Sequence, residues 1–362
     1  MRVGLDATPL LGTRTGVGHY VAELLAALPP EVEPVLTAFT WRGVGGLPRG
    51  HAVAPRRFSA RALQTLWANA DLPPVEWLSG RVDVFHGTNF VLPPTRRAAG
   101  VVTIHDLSYE QHADTVTPAT LRYRALVPRA LRRGGLVLTP SNAVAAEVRT
   151  RYDLPEERVL VTPLGVAPRW FADPGPRPAW LPERYVLFVG NLEPRKNVPV
   201  LLRAMASLHA TDPAAPPVVL AGPAGWGPAL DASGLPRDAV VTPGYVGGAD
   251  LVAAVAHASV LAFPSRYEGF GLPPLEALAT GTPVVASDLA VLREVLGEHA
   301  AFVPVGDAEA LAAALAKALA DGDGGPAARA ERAAHARAFT WARCAAETAR
   351  GYARALALRS GA

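Results

Sequence analysis

The chain has 362 residues, half of them hydrophobic, and a formal net charge of +3. This composition excludes a disordered or fibrous protein, the single cysteine excludes an internal disulfide bond, and the small net charge gives no reason to expect a nucleic-acid partner. The length predicts two domains with separate cores. The N-terminus lacks the apolar segment of a signal peptide, and no stretch of eighteen uncharged apolar residues follows, so we expect a cytoplasmic protein.

In the first half, short apolar segments alternate with helical patterns, which predicts a parallel sheet covered by helices. Residues 3–5 form the first predicted strand, and residues 12–20 form a glycine-rich loop that leads into a helix. Gly16 and Gly18 lie where the loop enters this helix, so they are suited to cradle a phosphate or to form a plain tight turn. The spacing is not that of the dinucleotide fingerprint, because Val21 stands where the third glycine would fall.

Two histidines come directly after predicted strands at residues 82–85 and 101–104. Ligands of open α/β sheets bind at the carboxyl ends of the strands, so His86 and His105 are candidate site residues. A structural role is the alternative, above all for His86.

Near the end of the first half, the sequence predicts a helix N-cap and then a linker between domains. Ser141 or Asn142 is expected to cap the helix after the predicted strand at residues 136–139. Residues 164–180 are rich in Pro and Gly and lack periodicity. We therefore predict the linker between the domains there.

The second half opens with a predicted strand at residues 185–189, followed by a turn that carries Arg195 and Lys196. Two neighbouring cations before a helix are suited to a diphosphate, so they form a candidate clamp. Solvated surface side chains are the alternative.

Residues 264–279 combine the end of a buried strand, a glycine loop and the start of a helix. Gly269 and Gly271 let the backbone approach a ligand, and the helix start favours an anion such as a phosphate. Glu268 and Glu276 would repel a phosphate, so we expect each to accept hydrogen bonds from hydroxyl groups, one set on a sugar and one on a ribose. The alternative is a helix whose acidic start merely suits its dipole.

This segment resembles the Glu-x7-Glu signature of the retaining GT-B glycosyltransferases of family 4, with Glu268 and Glu276 flanking a Gly-Phe-Gly-Leu-Pro core. The resemblance extends over nearly the whole chain and implies an α/β fold of two facing Rossmann-like domains with a cleft between them. It implies an acceptor-side domain at 1–168 and a nucleotide-sugar-binding domain at 181–339. A terminal helix at 340–362 would return to the first domain.

The resemblance also implies site residues. His105 and Glu268 would be catalytic residues beside the donor sugar. Donor-binding residues would come from the glycine loop, the basic pair and the signature segment: Gly16, Gly18, Arg195, Lys196, Glu268, Gly269, Phe270, Gly271, Leu272 and Glu276. We take His19, Tyr20 and His86 as acceptor-side candidates. Family members often carry a second arginine after the strand glycine, where this chain has Asn191.

The activity implied is transfer of a hexose, with mannose as the first expectation, from GDP-mannose or a UDP-sugar to a hydroxyl group. The acceptor would be a glycan, a lipid-linked or a small molecule, and the anomeric configuration would be retained. No metal or other cofactor is expected, since Asp321-Gly322-Asp323 follows a helix and is typical of a turn. Two alternatives remain, namely a non-hydrolysing sugar-nucleotide 2-epimerase and a non-catalytic nucleotide-sugar-binding protein.

An arginine-rich segment, residues 121–133, would place Arg122, Arg129 and Arg133 on one side of a helix and apolar side chains on another. That pattern is typical of peripheral contact with an anionic membrane, and also of an amphipathic helix packed on its own sheet. Pro128 favours the second interpretation, because it is expected to kink or split the helix.

Overall fold

The structure is a computed structural model that describes residues 1–12, 16–41, 43–56, 58–227 and 229–361. The chain divides into two compact units. Unit 1 comprises Met1–Ala113, Thr117–Gly165 and Thr340–Ala362, whereas unit 2 comprises Asp114–Val116 and Val166–Phe339. The α/β architecture with two Rossmann-like domains, predicted from the sequence, is confirmed.

Unit 1 is built on a parallel sheet. Its strands are β1 (Arg2–Asp6), β2 (Glu33–Thr37), β3 (Ala52–Val53), β4 (Val84–Gly87), β5 (Ala99–Thr103), β6 (Leu136–Thr139) and β7 (Val159–Val161). They lie in the order β3-β2-β1-β4-β5-β6-β7, so the strand order reverses between β1 and β4. The helices between the strands are α1 (Gly16–Ala27), α2 (Ala60–Asn69), α3 (Glu76–Ser79), α4 (Ser108–Gln111), α5 (Tyr123–Arg132) and α6 (Asn142–Tyr152).

Unit 2 repeats this plan with a second parallel sheet. Its strands are β8 (Val186–Val189), β9 (Val218–Ala221), β10 (Val240–Gly244), β11 (Val260–Phe263), β12 (Val284–Ser287) and β13 (Ala301–Val303). The order is β10-β9-β8-β11-β12-β13, with the reversal between β8 and β11. The helices are α7 (Val198–Thr211), α8 (Gly248–Ala256), α9 (Leu272–Ala279), α10 (Ala290–Leu296), α11 (Ala308–Asp321) and α12 (Gly325–Arg337).

The terminal helix α13 (Trp341–Ser360) belongs to unit 1. Its start is capped by Thr340, whose side chain accepts a hydrogen bond from the Arg343 backbone N–H at 3.1 Å. Tyr352 of this helix is fully buried against β-strand residues such as Val3 and Leu136. Within the described ranges, neither α13 nor any other helix combines the length and apolar composition needed to cross a membrane.

The entry to α13 depends on a glycine. A Cβ atom at Gly165 would lie 2.2 Å from the Trp341 backbone nitrogen and 2.5 Å from the Thr340 carbonyl carbon. Because those atoms are backbone and cannot rotate away, Gly165→Ala is expected to destabilise the protein by about 1–3 kcal/mol. Urea unfolding measures this. Gly45→Ala is the matched control, since a Cβ there meets no heavy atom within 4 Å, and equal midpoints for both variants would contradict the prediction.

The arginine-rich segment forms α5, and its apolar side is packed in the core of unit 1. Leu126, Val127 and Ala130 are almost completely buried. Arg129 and Arg133 both pair with the Asp71 carboxylate, at 3.1 and 2.9 Å. The apolar side of α5 therefore packs on its own sheet, as in the second of the two interpretations of this segment, and peripheral contact with a membrane stays a prediction.

Pro128 does not end this helix. It lies inside α5, which continues from Tyr123 to Arg132. Of the two effects expected of the proline, a kink or a split, the split is therefore wrong. The apolar contacts of α5 with the core explain how the helix tolerates the backbone hydrogen bond that proline cannot make.

Candidate active site

The signature segment of unit 2 is a strand, a loop and a helix start, as predicted. β11 ends at Phe263, and α9 begins at Leu272 with Gly271 as its N-cap. Gly271 has a φ of 101°, a left-handed conformation that favours glycine. A Cβ at this position would also lie 2.6 Å from the Leu292 side chain. The loop follows a strand at which the strand order reverses, which is where open α/β sheets bind ligands.

Glu268 binds both cations of the predicted clamp. Its Oε1 lies 2.6 Å from Lys196 Nζ, and its Oε2 lies 3.1 Å from Arg195 Nη1. The Glu268 side chain is nearly buried, with 8% of it exposed. The structure thus places together three residues that the sequence had divided between a diphosphate clamp and a sugar-binding carboxylate.

The positive and negative charges within this cluster cancel each other. Burial by itself would raise the pKa of Glu268, but the charges of Lys196 and Arg195 outweigh it and hold the pKa at about 2. Glu193 adds a second carboxylate, 2.7 Å from Arg195 Nη2. Two cations therefore face two anions, and the cluster has no formal surplus of positive charge. The place of the additional family arginine is taken by neutral Asn191.

The basic pair is also held by neutral groups. Arg195 Nη1 donates to the Tyr267 carbonyl at 2.8 Å, and the Arg195 carbonyl accepts from the Arg266 N–H at 2.9 Å. Lys196 Nζ lies 4.9 Å from the centre of the Phe263 ring. These contacts fix both cations against the signature loop, which limits the reorganisation that binding an anion would require.

The other donor-side candidates lie along the same segment. Phe270 is buried and makes an edge-to-face contact with Phe339, with ring centres 6.0 Å apart. Leu272 is the first residue of α9. Glu276 is half-buried one turn further along α9, and Gly269 lies in the loop immediately after Glu268.

His105 in unit 1 follows the carboxyl end of β5. Its Nε2 lies 2.8 Å from the Thr88 carbonyl oxygen. A carbonyl only accepts, so Nε2 carries the proton. Burial lowers the pKa of His105, although the Thr88 carbonyl and Asp106 oppose the shift. The ring is therefore a neutral imidazole in T-shaped contact with the rings of Tyr20 and Phe90, and Nδ1 is its hydrogen-bond acceptor.

His86 and Tyr20, two of the acceptor-side candidates, belong to a buried hydrogen-bond network within unit 1. His86 is completely buried, with Nδ1 2.8 Å from the Tyr352 hydroxyl and Nε2 2.7 Å from Thr103 Oγ1. The Tyr20 hydroxyl lies 3.0 Å from the same Thr103 oxygen. Burial lowers the pKa of His86 to about 3, so the ring stays neutral. Because both nitrogens are occupied and the ring is buried, the acceptor contact predicted for His86 does not fit this environment.

This network yields a stability prediction. Tyr352→Phe removes the hydroxyl that pairs with His86 Nδ1 and leaves a buried nitrogen without its partner. We expect a loss of about 1–3 kcal/mol in the free energy of unfolding. Nucleotide affinity is expected to stay unchanged, because the network lies in unit 1. Urea unfolding and calorimetric titration of the same preparations check both statements, and unchanged stability would contradict them.

The predicted glycine loop begins the first helix. α1 starts at Gly16, so Gly16 and Gly18 belong to its first turn, and His19 follows on the same helix. Gly18 is buried and His19 is half-buried. The middle of the loop, residues 13–15, lies outside the described residues.

Asp321-Gly322-Asp323 connects α11 and α12 as a turn. Asp323 Oδ1 accepts from the Gly325 N–H at 2.9 Å, and Lys317 pairs with Asp321. Across the part of the chain that the structure describes, no group of three His, Cys, Asp or Glu side chains is arranged to hold a metal ion.

Two carboxylates near the candidate site residues were not predicted from the sequence. Glu193 completes the charged cluster of unit 2, and Asp6 ends β1 at the same sheet edge as His105. Asp6 could have been predicted from the sequence, because it directly follows the first predicted strand, where ligand-facing residues are expected.

Comparison with known proteins identifies the family. The family model for glycosyl transferases group 1 matches residues 183–321, and the model for glycosyltransferase family 4 matches residues 14–170. O-antigen chain mannosyltransferase B of Escherichia coli is 32% identical over 283 residues, which is 74% of this chain and 74% of that protein. The MMP alpha-(1→4)-mannosyltransferase of Mycolicibacterium hassiacum is 30% identical over 353 residues, covering 90% of this chain and 79% of that protein.

Solved structures share the fold. Sucrose-phosphate synthase of Thermosynechococcus elongatus aligns with a TM-score of 0.70 and 19% identity, covering 100% of both chains. HepE of Anabaena, solved in complex with UDP, aligns with a TM-score of 0.64 and 18% identity over 96% of this chain and 98% of that one. Together with the matching family models and the two mannosyltransferase relatives, the fold leads to one conclusion. This chain belongs to the GT-B glycosyltransferases.

Proposed function

We propose that this glycosyltransferase moves mannose from a nucleotide diphosphate sugar, with GDP-mannose as the first candidate, to a hydroxyl group with retention of configuration. The observation that carries the proposal is the cluster of Lys196, Arg195 and Glu268 beside the glycine-capped start of α9. The names of the two mannosyltransferase relatives support mannose. The complex of HepE with UDP-glucose supports a nucleotide sugar as donor. An acceptor in polysaccharide biosynthesis fits the O-antigen relative.

The cations of the cluster act on the leaving group. As the bond to the sugar breaks, negative charge grows on the diphosphate, and fixed donors stabilise it best. Lys196 and Arg195 are such donors, and so is the backbone N–H of Leu272 at the start of α9, where Pro273 and Pro274 have no N–H to donate. In this proposal they make a metal ion unnecessary for the transfer.

Glu268 holds the donor sugar while it positions the cations. A carboxylate has about four lone-pair sites, so pairing with Lys196 and Arg195 leaves capacity for a sugar hydroxyl. Its low pKa keeps it ionised throughout the neutral range. Glu276 accepts the ribose hydroxyls, and neutral His105 offers its Nδ1 to a sugar hydroxyl. The acceptor attacks on the face from which the diphosphate leaves, and the departing phosphate oxygen takes the acceptor proton.

Calorimetric titration with GDP, UDP and ADP, followed by the matching nucleotide sugars, tests the donor assignment. We expect GDP to bind most tightly and GDP-mannose to be consumed when an acceptor is added. The same assay in excess chelator should retain full activity. Loss of activity that magnesium restores would contradict the metal-free proposal, and binding of none of the nucleotides would contradict the function.

A further inference from the structure

Asp6 lies at the point of unit 1 where a ligand is expected. It is the last residue of β1, and the strand order of the sheet reverses between β1 and β4. Thr88, just after β4, donates its hydroxyl to the Asp6 carbonyl at 2.7 Å. The Thr88 carbonyl in turn accepts from His105. Thr88 therefore joins Asp6 and His105 at the carboxyl ends of neighbouring strands, the ligand-facing edge of such sheets.

The Asp6 carboxylate is buried but only half satisfied. Oδ1 accepts two hydrogen bonds from Thr8, from the backbone N–H at 2.9 Å and from the hydroxyl at 2.6 Å. Among the described residues, none donates a hydrogen bond to Oδ2, although only 5% of Asp6 is exposed. Burial raises the pKa of Asp6 to about 6, in spite of the Thr8 hydrogen bonds. Oδ2 is not one of the fully enclosed polar atoms that lack a partner, so it is open to a hydrogen-bond donor from outside the chain.

Polar groups from two other elements lie at the same edge of the sheet. The Tyr123 ring on α5 stacks on Phe90, with ring centres 4.7 Å apart, and Phe90 in turn contacts the His105 ring. Asp106 is half-buried, and its Oδ1 accepts from the Ser108 N–H at 2.9 Å. These neighbours of the strand end offer hydroxyl, carbonyl and carboxylate groups for hydrogen bonds, which suits a polyhydroxylated ligand.

We propose that Asp6 is an acceptor-binding residue whose Oδ2 accepts a hydrogen bond from a hydroxyl group of the acceptor. This inference rests on the proposed glycosyl transfer to a hydroxyl. The bound hydroxyl supplies the donor that Oδ2 lacks in the protein. Sites built to pair with a ligand hydroxyl discriminate strongly against ligands without it, so Asp6 also contributes to the choice of acceptor.

A purely structural role makes a different prediction. In that case Asp6 serves only to cap the turn at Thr8 through Oδ1. Asp6→Asn separates the two roles, because its amide oxygen can still accept both Thr8 hydrogen bonds while an NH2 group replaces Oδ2. The hydrogen bonds to Thr8 would therefore be retained in Asp6→Asn, but acceptor binding through Oδ2 would be lost.

The experiment measures three quantities on wild-type and Asp6→Asn enzymes: GDP affinity by calorimetry, hydrolysis of GDP-mannose without acceptor, and transfer to methyl α-mannopyranoside, myo-inositol and glycerol. We expect the GDP affinity and the hydrolysis rate of Asp6→Asn to stay within about twofold of the wild-type values. For the probe that the wild type uses best, kcat/KM for the acceptor should fall by about 10- to 100-fold, mainly through KM.

Asp83→Asn is the matched control, because Asp83 is a carboxylate at the opposite edge of the same sheet, where it accepts from the Arg2 N–H at 2.8 Å. This variant should transfer like the wild type. Normal transfer by Asp6→Asn would overturn the proposal for Asp6 alone. A wild type that binds GDP but transfers to none of the hydroxyl probes would overturn the proposed transfer to simple hydroxyls, and the Asp6 proposal with it.

Discussion

Replacing Glu268 with glutamine is expected to lower turnover by about 100-fold while leaving the affinity for free GDP as high as in the wild type, or higher. The carboxylate binds Lys196 and Arg195 at 2.6 and 3.1 Å. Glutamine keeps the shape but removes one negative charge from a cluster whose formal charges cancel. The remaining surplus of positive charge favours the diphosphate, while the sugar loses a charged hydrogen-bond acceptor in the transition state.

Steady-state kinetics with GDP-mannose, together with calorimetric titration of GDP, measure both effects. Asp288→Asn is a suitable control, because it breaks an ion pair with Arg293 on the surface of the same unit. Urea unfolding shows whether each variant is folded. Normal turnover with weaker GDP binding would mean that Glu268 serves the cations and not the sugar.

Lys196→Ala should have the opposite pattern, with GDP affinity reduced by about 1–3 kcal/mol, which is about 5- to 150-fold in Kd. Lys196 has three N–H donors, of which one reaches Glu268. The others are suited to phosphate oxygens. Arg195→Ala should weaken binding in the same range, because it removes a cation from the same cluster.

Lys317 provides the matched control for this series. It is the other lysine of the chain, and it forms an exposed pair with Asp321 on α11. Lys317→Ala should bind GDP like the wild type, since exposed pairs contribute little. Equal GDP affinity in Lys196→Ala and wild type would exclude Lys196 from the donor site.

The sequence predicted the features that depend on local pattern. Apolar segments became the strands of two parallel sheets, and the glycine loop before Leu272 became the N-cap of α9. Ser141 caps α6, as expected, by accepting from the Val144 N–H at 3.2 Å. These outcomes were predictable because caps, strand composition and glycine conformation are decided within a few residues.

The features that could not be predicted depend on contacts between distant residues. His86 is paired with Tyr352, which lies 266 positions further along the chain. No local sequence pattern predicts that His86 pairs with Tyr352. The position of His86 directly after a strand therefore suggested a ligand contact. The sequence left two interpretations of the arginine-rich segment for the same reason, since burial of Leu126 and Val127 depends on the whole core. The ion pairs of Glu268 likewise join residues about seventy positions apart.

The most direct test of the central claim is the anomeric configuration of the product. The enzyme is incubated with GDP-mannose, in which mannose is α-linked, and with the acceptor that it uses best. The one-bond carbon–hydrogen coupling at the anomeric carbon of the purified product is then measured by NMR. The account predicts an α-linked mannoside. A β-linked product would contradict retention and same-face attack, and release of free mannose or an epimerised nucleotide sugar in place of a mannoside would contradict the transfer itself.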